Sequence, residues 1–225
     1  MVEYNSDNPE RPVNSPKANY RLSPAALEVV RAWGSADADD VVDNYLIELP
    51  GQLAAYAAAR DMHRIPVTLP NGTIVTLSPG GQNVLIRAMV EEFCPRFTPG
   101  GQVLYLGDAD AKLSLFDEAS LLDLGVRVDQ HGKMPDVVVH LPTRNWLVLA
   151  EAASSHGPVD STRLAELKQL FAGATAGLVF VSCFPDRSVM RSYLPALAWE
   201  TEAWAASDPE HLIHFNGDRF LGPHR

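Results

Sequence analysis

Apolar residues recur at strand or helix spacing along most of the chain, and turn residues divide them into short elements. The strongest pattern covers residues 134–157, MPDVVVHLPTRNWLVLAEAASSHG. Val137–Leu141 and Trp146–Ala150 are apolar runs of strand length on either side of a polar turn, an arrangement that predicts a β-hairpin. Asp136 opens the first strand and Glu151 ends the second, so we expect the two carboxylates to meet at one end of the hairpin.

Two carboxylates that converge at the edge of a buried sheet supply the oxygen donors that Mg²⁺ binds in proteins. The backbone carbonyl of Ala152 is a further candidate ligand, and Asp108, which follows a predicted strand over residues 103–106, is a candidate for a second ion. Acidic residues at strand ends are also common turn formers. A structural role for Asp136 and Glu151 therefore remains an alternative.

Residues 1–20 are rich in Pro, Asn and Ser and are predicted to form a disordered N-terminal lead segment. Residues 21–77 are predicted to form a small helical and hairpin subdomain. Such an outline resembles a winged-helix DNA reader, although no basic recognition helix is evident, and we interpret it as a packing or DNA-positioning module. The elements predicted here are a helix capped by Ser23-Pro24 and stopped by Gly34, helices over 37–49 and 52–64, and a hairpin over 65–77 around Asn71-Gly72.

Residues 78–225 are predicted to form one domain, large enough to be a catalytic domain, in which helices flank a mixed sheet. This is an α/β (α+β) fold. The elements are a helix from Ser78 to about Phe93 ended by Pro95, strands over 103–106, 178–182, 202–205 and 212–215, the hairpin described above, and helices over 116–124, 161–171 and 188–198. In the first of these helices, a rotation of 100° per residue places Glu92 within the apolar face and leaves Glu91 in solvent. Glu92 is then either at a frayed helix end or directed at a site under the sheet. There Glu92, like Asp108, could support a second ion or orient a metal-bound water.

Composition limits the classes of function. The chain has 225 residues, 46% of them hydrophobic and 20% charged, as in soluble globular proteins. No apolar run approaches the length of a membrane span, so we expect no membrane association. Cys94 and Cys183 lie far apart in apolar segments, which predicts buried free thiols in a reducing cytoplasm. The net charge of −10 argues against a non-specific DNA coat but not against an enzyme with a locally basic cleft.

The order of elements, with Pro-Asp opening one hairpin strand and an acid closing the other, resembles the PD-(D/E)XK nuclease fold. More specifically, residues 20–223 resemble the BsuBI/PstI family of type II restriction endonucleases. The stretches that carry this resemblance are LSPGGQNVLIRAMVEEFCPRFTPG (77–100), VLYLGDADAK (103–112), KMPDVVVH (133–140), NWLVLAEAASSHGP (145–158), AGLVFVSCFPD (176–186), AWETEAW (198–204) and HLIHFNGDRFLGP (211–223).

The resemblance implies Mg²⁺-dependent cleavage of double-stranded DNA by a homodimer at a palindromic hexamer, CTGCAG for the best-known members. A cognate DNA methyltransferase is then a genetic rather than a physical partner. The chain is shorter than typical members, which bears on sequence recognition and on dimer geometry.

The superfamily signature has lysine two positions after the acid, whereas this chain has Ala153. Lys112 and Lys133 are the candidate replacements, because either flexible side chain could reach the attacking water or the phosphate. We favour Lys112, since its strand is expected to lie beside the hairpin. Either lysine is equally well explained as part of a solvated loop.

The polar loop after Glu151 predicts contacts with the DNA backbone through Ser154 and Ser155, or a cap for the next helix. His156 is a candidate proton shuttle, whereas a Ser/His nucleophile is disfavoured because no orienting acid is evident. Arginines are the expected DNA contacts, and Arg163 near the start of the crossover helix is a candidate for the groove. The full set is Arg87, Arg96, Arg144, Arg163, Arg187 and Arg219.

Two alternatives to a site-specific deoxyribonuclease remain at this point. One is a catalytically inactive nuclease fold that only binds DNA, suggested by Ala153 and by the acidic net charge. The other is a structural domain in which Asp136 and Glu151 form turns.

Overall fold

The structure is a computed structural model that describes residues 2–5, 7–8, 16–62, 64–108, 114–128, 133–154 and 157–215. Backbone contacts divide the chain into two compact units, Met1–Arg64 and Ile65–Arg225. The sequence placed a division after residue 77 instead. The hairpin at 65–77 lies in the second unit because its apolar residues share a core with the helix that follows it.

In the first unit, β1 (Val2–Tyr4) pairs antiparallel with β2 (Tyr20–Leu22), so part of the predicted lead forms a strand. Helix α1 (Pro24–Ala32) begins as predicted, with the Ser23 side chain accepting a hydrogen bond from the backbone N–H of Ala26. Helix α2 (Ala38–Met62) is continuous through Pro50, so the prediction of two separate helices is wrong. Proline usually breaks a helix because it lacks the N–H for one backbone hydrogen bond, but here the helical turns continue on both sides of Pro50.

The second unit opens with the hairpin of β3 (Ile65–Thr68) and β4 (Ile74–Leu77), which confirms the prediction from Asn71-Gly72. Ile65 and Val67 are buried and alternate with exposed neighbours, as expected for a strand with one face on the core.

The helical segment after the hairpin begins and ends later than predicted. Helix α3 (Gly81–Ala88) starts after Gly80, whose φ of 151° is accessible to glycine. A π turn over Met89–Phe93 follows and leads directly into α4 (Cys94–Phe97), so Pro95 does not end the helix. The wider turn, in which the N–H of Cys94 bonds to the carbonyl of Met89, shifts the faces predicted at 100° per residue.

Among the described residues, a seven-stranded mixed sheet forms the centre of the second unit, which confirms the predicted fold class. Its order is β11-β10-β9-β8-β7-β5-β6, with β8 parallel to β9 and β9 parallel to β10. The strands are β5 (Gln102–Leu106), β6 (Leu115–Phe116), β7 (Val137–Leu141), β8 (Trp146–Ala152), β9 (Gly177–Phe184), β10 (Glu202–Ala205) and β11 (Leu212–His214). The helices are α5 (Glu118–Asp123), α6 (Ser161–Leu170) and α7 (Arg187–Tyr193).

Strand β8 is buried on both faces of the sheet. Val148 and Ala150 pack in the cluster that includes the α3 residues, whereas Leu147 and Leu149 pack in a second cluster with residues of α6. Because successive side chains of a strand alternate between faces, Glu151 lies on the α6 face. Helix α6 connects β8 to its parallel neighbour β9, as a crossover helix does.

Cys94 and Cys183 are buried free thiols, as predicted. Within the described part of the chain, no helix has the length and apolarity needed to cross a bilayer.

Candidate functional site

The register of the β7–β8 hairpin places Asp136 next to Glu151. Val137, the first residue of β7, pairs with Ala150 of β8. Continuing this antiparallel register by one residue places Asp136 opposite Glu151. Glu151 lies within β8 rather than after it, with Ser182 of β9 as its parallel neighbour. The hairpin predicted from the sequence is therefore confirmed, and β8 is longer than predicted.

Asp136 is held by donors from both sides of the hairpin end. The backbone N–H of Ala152 donates to its Oδ2 at 2.7 Å, and the side-chain amide of Gln82 donates to its Oδ1 at 3.2 Å. Its backbone carbonyl accepts from the N–H of Gly107 at 2.8 Å. These contacts come from β8, α3 and the end of β5, so the position of Asp136 depends on tertiary packing.

Glu151 is paired with Arg163 of α6. Both the Nε and the Nη2 of Arg163 contact the same oxygen, Oε1, at 2.8 and 2.6 Å. The side chain of Glu151 is 13% exposed and that of Arg163 is 18% exposed, so the ion pair is largely shielded from water.

The electrostatics of the pair favour a bound cation. The pKa of Glu151 is raised to about 7, first by burial and then by the negative charge of Asp136 and a hydrogen bond with it, while Arg163 acts to lower it. The pKa of Tyr105 on the adjacent β5 is also raised, first by burial and then by the charges of Asp136 and Glu151. Arg163 thus leaves the negative charge of the site only partly compensated.

The donor set fits a hard divalent cation. Asp136 and Glu151 offer carboxylate oxygens, and the Ala152 carbonyl, which already accepts from the N–H of Ser154 at 3.0 Å, retains a second lone pair. Within the described residues no group of three or more His, Cys, Asp or Glu side chains is placed to hold a metal ion. Two carboxylates and a carbonyl are therefore the ligands that this part of the chain offers.

Asp108 lies at the neighbouring strand end but has different contacts. It is 6% exposed and accepts from the backbone N–H of Ser78 at 2.7 Å and from the Asn83 side chain at 3.2 Å. These donors connect the end of β5 to the end of β4 and to α3.

Glu92 lies on the surface, paired with Arg96 at 2.7 Å, and its side chain is 48% exposed. The prediction that it lies within the apolar face is wrong, because the π turn rotates the helix face. Glu91 instead turns toward β3 and accepts from the N–H of Thr68 at 2.9 Å.

Four of the sequence-predicted residues lie outside the described residues: Lys112, Ser155, His156 and Arg219. Lys133 is exposed, and its backbone carbonyl accepts from Arg163 at 3.0 Å. Lys133 thus precedes the site, on the segment that leads into Asp136.

The position of the superfamily lysine is buried here. Ala153 is fully buried in an apolar cluster with Phe184 and Met190, and its N–H bonds to the carbonyl of Cys183. The hydroxyl of the next residue, Ser154, is buried and makes no hydrogen bond within the described part of the chain.

The arginines predicted to contact DNA occupy different places. Arg144 stacks on the ring of Trp146 at 4.8 Å, at the turn end of the hairpin opposite the acids. Arg187 is exposed at the first position of α7. Arg163 lies in the site itself, which its position twelve residues after Glu151 did not indicate. Gln82 was also missed, because an amide on a separate helix carries no local sequence signal for Asp136.

Family models match both parts of the chain. The BsuBI/PstI restriction endonuclease domain matches residues 65–218, and the BsuBI/PstI restriction endonuclease HTH domain matches residues 1–54.

Individual relatives agree with the family models. The chain is 48% identical over 221 residues to the type II restriction enzyme BsuBI of Bacillus subtilis, covering 98% of this chain and 70% of that protein. It is 32% identical over 229 residues to the type II restriction enzyme AplI of Arthrospira platensis, with the same coverage. Among solved structures, the SdaI restriction endonuclease superposes with a TM-score of 0.70 at 46% identity, over 99% of this chain and 70% of that one. The chain therefore belongs to the BsuBI/PstI family of restriction endonucleases.

Proposed function

We propose that this protein hydrolyses phosphodiester bonds of double-stranded DNA at a specific sequence, with Mg²⁺ held by Asp136 and Glu151. The observation that carries the proposal is the hairpin register that sets these two acids side by side at a sheet end. Membership of a restriction endonuclease family supports the reaction class.

The carboxylates of Asp136 and Glu151 and the carbonyl of Ala152 are the groups that would hold the ion. When bound, Mg²⁺ supplies charge neutralisation at the scissile phosphate and activation of the attacking water. The protein's own residues prepare the site: the N–H of Ala152 and the amide of Gln82 hold Asp136, and Arg163 holds one oxygen of Glu151.

A basic group that acts on the water or the phosphate has to come from somewhere other than position 153, because Ala153 is enclosed by apolar side chains. Lys112, Lys133 and His156 are our proposals for it. Lys133 is exposed three positions before Asp136, which leaves its side chain able to reach DNA.

Contacts with DNA are proposed for Ser154 and Ser155, which follow Glu151, and for the exposed Arg187 and Arg144. Asp108 and Glu92 are weaker proposals for a second ion, because protein donors already occupy their carboxylates.

A homodimer on a palindromic hexamer such as CTGCAG follows from the family resemblance, since a two-fold protein matches a two-fold site. The same resemblance suggests a cytoplasmic enzyme and a cognate methyltransferase that protects host DNA.

The test is a plasmid digest with the purified chain in Mg²⁺ and in EDTA. We expect discrete bands in Mg²⁺ and none in EDTA. Glu151→Gln should abolish the bands, and Glu118→Gln should retain them. Glu118 is an exposed residue of α5 and provides the matched control. Retarded but uncut DNA favours the inactive DNA-binding alternative, and neither cutting nor retardation favours a structural role. Sequencing the ends of the cut DNA would give the recognition site and the overhang.

A further inference from the structure

The guanidinium of Arg163 connects the two strands that carry the acid pair. Its Nε and Nη2 contact Oε1 of Glu151 on β8, at 2.8 and 2.6 Å. Its Nη2 also donates to the backbone carbonyls of Lys133 and Met134, at 3.0 and 3.1 Å. Those carbonyls belong to the segment that leads into Asp136, so one side chain fixes the approach to both acids.

The contact with Glu151 is selective for one oxygen. Because both donors of Arg163 converge on Oε1, this pair sets the rotation of the carboxylate and leaves Oε2 outside it. A carboxylate fixed in this way presents a defined oxygen toward its neighbour Asp136.

Arg163 is itself fixed by its place on α6. Its backbone N–H donates to the capping carboxylate of Asp160 at 2.7 Å, and its Nη1 contacts Glu166 at 3.2 Å. The side chain is 18% exposed, and a planar guanidinium with five N–H groups can serve several acceptors at fixed angles, which an ammonium cannot. Each nitrogen of the Arg163 guanidinium thus has at least one acceptor among the described groups of the protein.

We propose that Arg163 is a positioning residue, which aligns Glu151 and the segment before Asp136 so that the two acids bind a divalent cation together. This inference rests on the proposed function. It differs from the sequence-based expectation that Arg163 contacts DNA, because the contacts of its guanidinium are with groups of the protein.

The experiment compares Arg163→Lys and Arg163→Gln with wild type in three measurements. Mn²⁺ affinity is measured on the full chain without DNA, from the electron paramagnetic resonance signal of free Mn²⁺. Steady-state cleavage gives kcat and KM for plasmid DNA, and thermal unfolding reports folding. Arg191→Lys is the matched control, since Arg191 is an exposed residue of α7.

We expect Arg163→Lys to weaken Mn²⁺ binding by about 10-fold or more and to lower kcat by a similar factor, the range typical of groups that orient metal ligands. The KM for DNA should change less than about twofold, as should every parameter of the Arg191→Lys control. If Arg163→Gln does not fold, Arg163→Lys decides the question, because it retains the positive charge beside Glu151.

Wild-type Mn²⁺ affinity and kcat in a folded Arg163→Lys would overturn the inference. Unchanged Mn²⁺ affinity with a KM raised about 10-fold would overturn it in favour of DNA contact. If wild type cuts DNA and Glu151→Gln does not, the proposed function stands whatever Arg163→Lys does. If wild type neither binds Mn²⁺ nor cuts, the proposed function fails and this inference fails with it.

Discussion

Asp108 and the pair of Asp136 with Glu151 lie at the same end of the sheet, yet their surroundings differ. Leu106 of β5 pairs with Val137 of β7, so the residues beyond these positions are neighbours. Asp108 is a single carboxylate that accepts from a backbone N–H and an amide. Asp136 and Glu151 face each other, and a cationic side chain, that of Arg163, contacts Glu151.

The difference shows how a buried acid becomes available for chemistry. Neutral N–H dipoles such as those that contact Asp108 compensate part of the hydration that a buried carboxylate loses. Two adjacent carboxylates repel each other, and the pKa of Glu151 is raised first by burial and then by the charge of Asp136. A divalent cation would remove the repulsion, so the strained pair is the better metal site although Asp108 is also acidic and buried.

The largest expected effect is on cleavage. Asp136→Asn or Glu151→Gln should lower the rate by about three orders of magnitude or more, because a lost metal site removes several kcal/mol of transition-state stabilisation. Asp108→Asn, measured per folded molecule, should stay within about tenfold of wild type if its role is structural. Plasmid cleavage under single-turnover conditions measures both, and equal losses in the two variants would erase the distinction between the sites.

The next effect is on stability as a function of pH. The pKa of Glu151 is raised from 4.5 to about 7 in the folded protein, so the folded state holds its proton more tightly than the unfolded state. The free energy of unfolding should therefore fall as pH rises from about 4.5 to 7, by about 3 kcal/mol at 1.36 kcal/mol per unit. Without metal, Glu151→Gln should be more stable than wild type at pH 8, and the gap should shrink toward pH 5.

Urea unfolding of both proteins at each pH, in EDTA, measures that gap. Mg²⁺ should reduce it at pH 8, because the ion binds the ionised carboxylate. A Glu151→Gln variant less stable than wild type at pH 8 in EDTA would contradict the assigned repulsion.

A smaller effect is expected at Asp108. Asp108→Ala leaves the N–H of Ser78 and the amide of Asn83 without an acceptor they have in wild type, and an unsatisfied buried donor costs about 1–3 kcal/mol. Denaturant unfolding should show this loss at every pH from 5 to 8, with or without Mg²⁺. Asp123→Asn, at an exposed position of α5, serves as control. Mg²⁺-dependent stability lost in Asp108→Ala would instead assign Asp108 to the metal site.

The smallest effect is expected at Gln82. Gln82→Ala removes the 3.2 Å hydrogen bond to Oδ1 of Asp136, worth about 1 kcal/mol, so cleavage should slow about fivefold with little change in stability. Single-turnover rates at saturating Mg²⁺ provide the measurement. An unchanged rate would show that the hydrogen bond from Gln82 is not needed to hold Asp136.

Much of the fold follows from local sequence. The apolar runs Val137–Leu141 and Trp146–Ala150 around a polar turn predict the hairpin that the structure contains, and Ser23 caps the helix that it was predicted to cap. Failures occur where backbone geometry departs from the ideal period. The π turn at Met89–Phe93 exchanges the environments of Glu91 and Glu92, and no residue pattern marks it.

The sequence by itself determined that two acids fifteen positions apart lie side by side, because strand pairing and turn length set the register of a hairpin. Only the tertiary structure decided which groups surround them. Gln82 reaches Asp136 from α3, and Arg163 reaches Glu151 from α6. These contacts depend on how the two helices pack on the sheet, and packing is set by the whole core rather than by neighbouring residues.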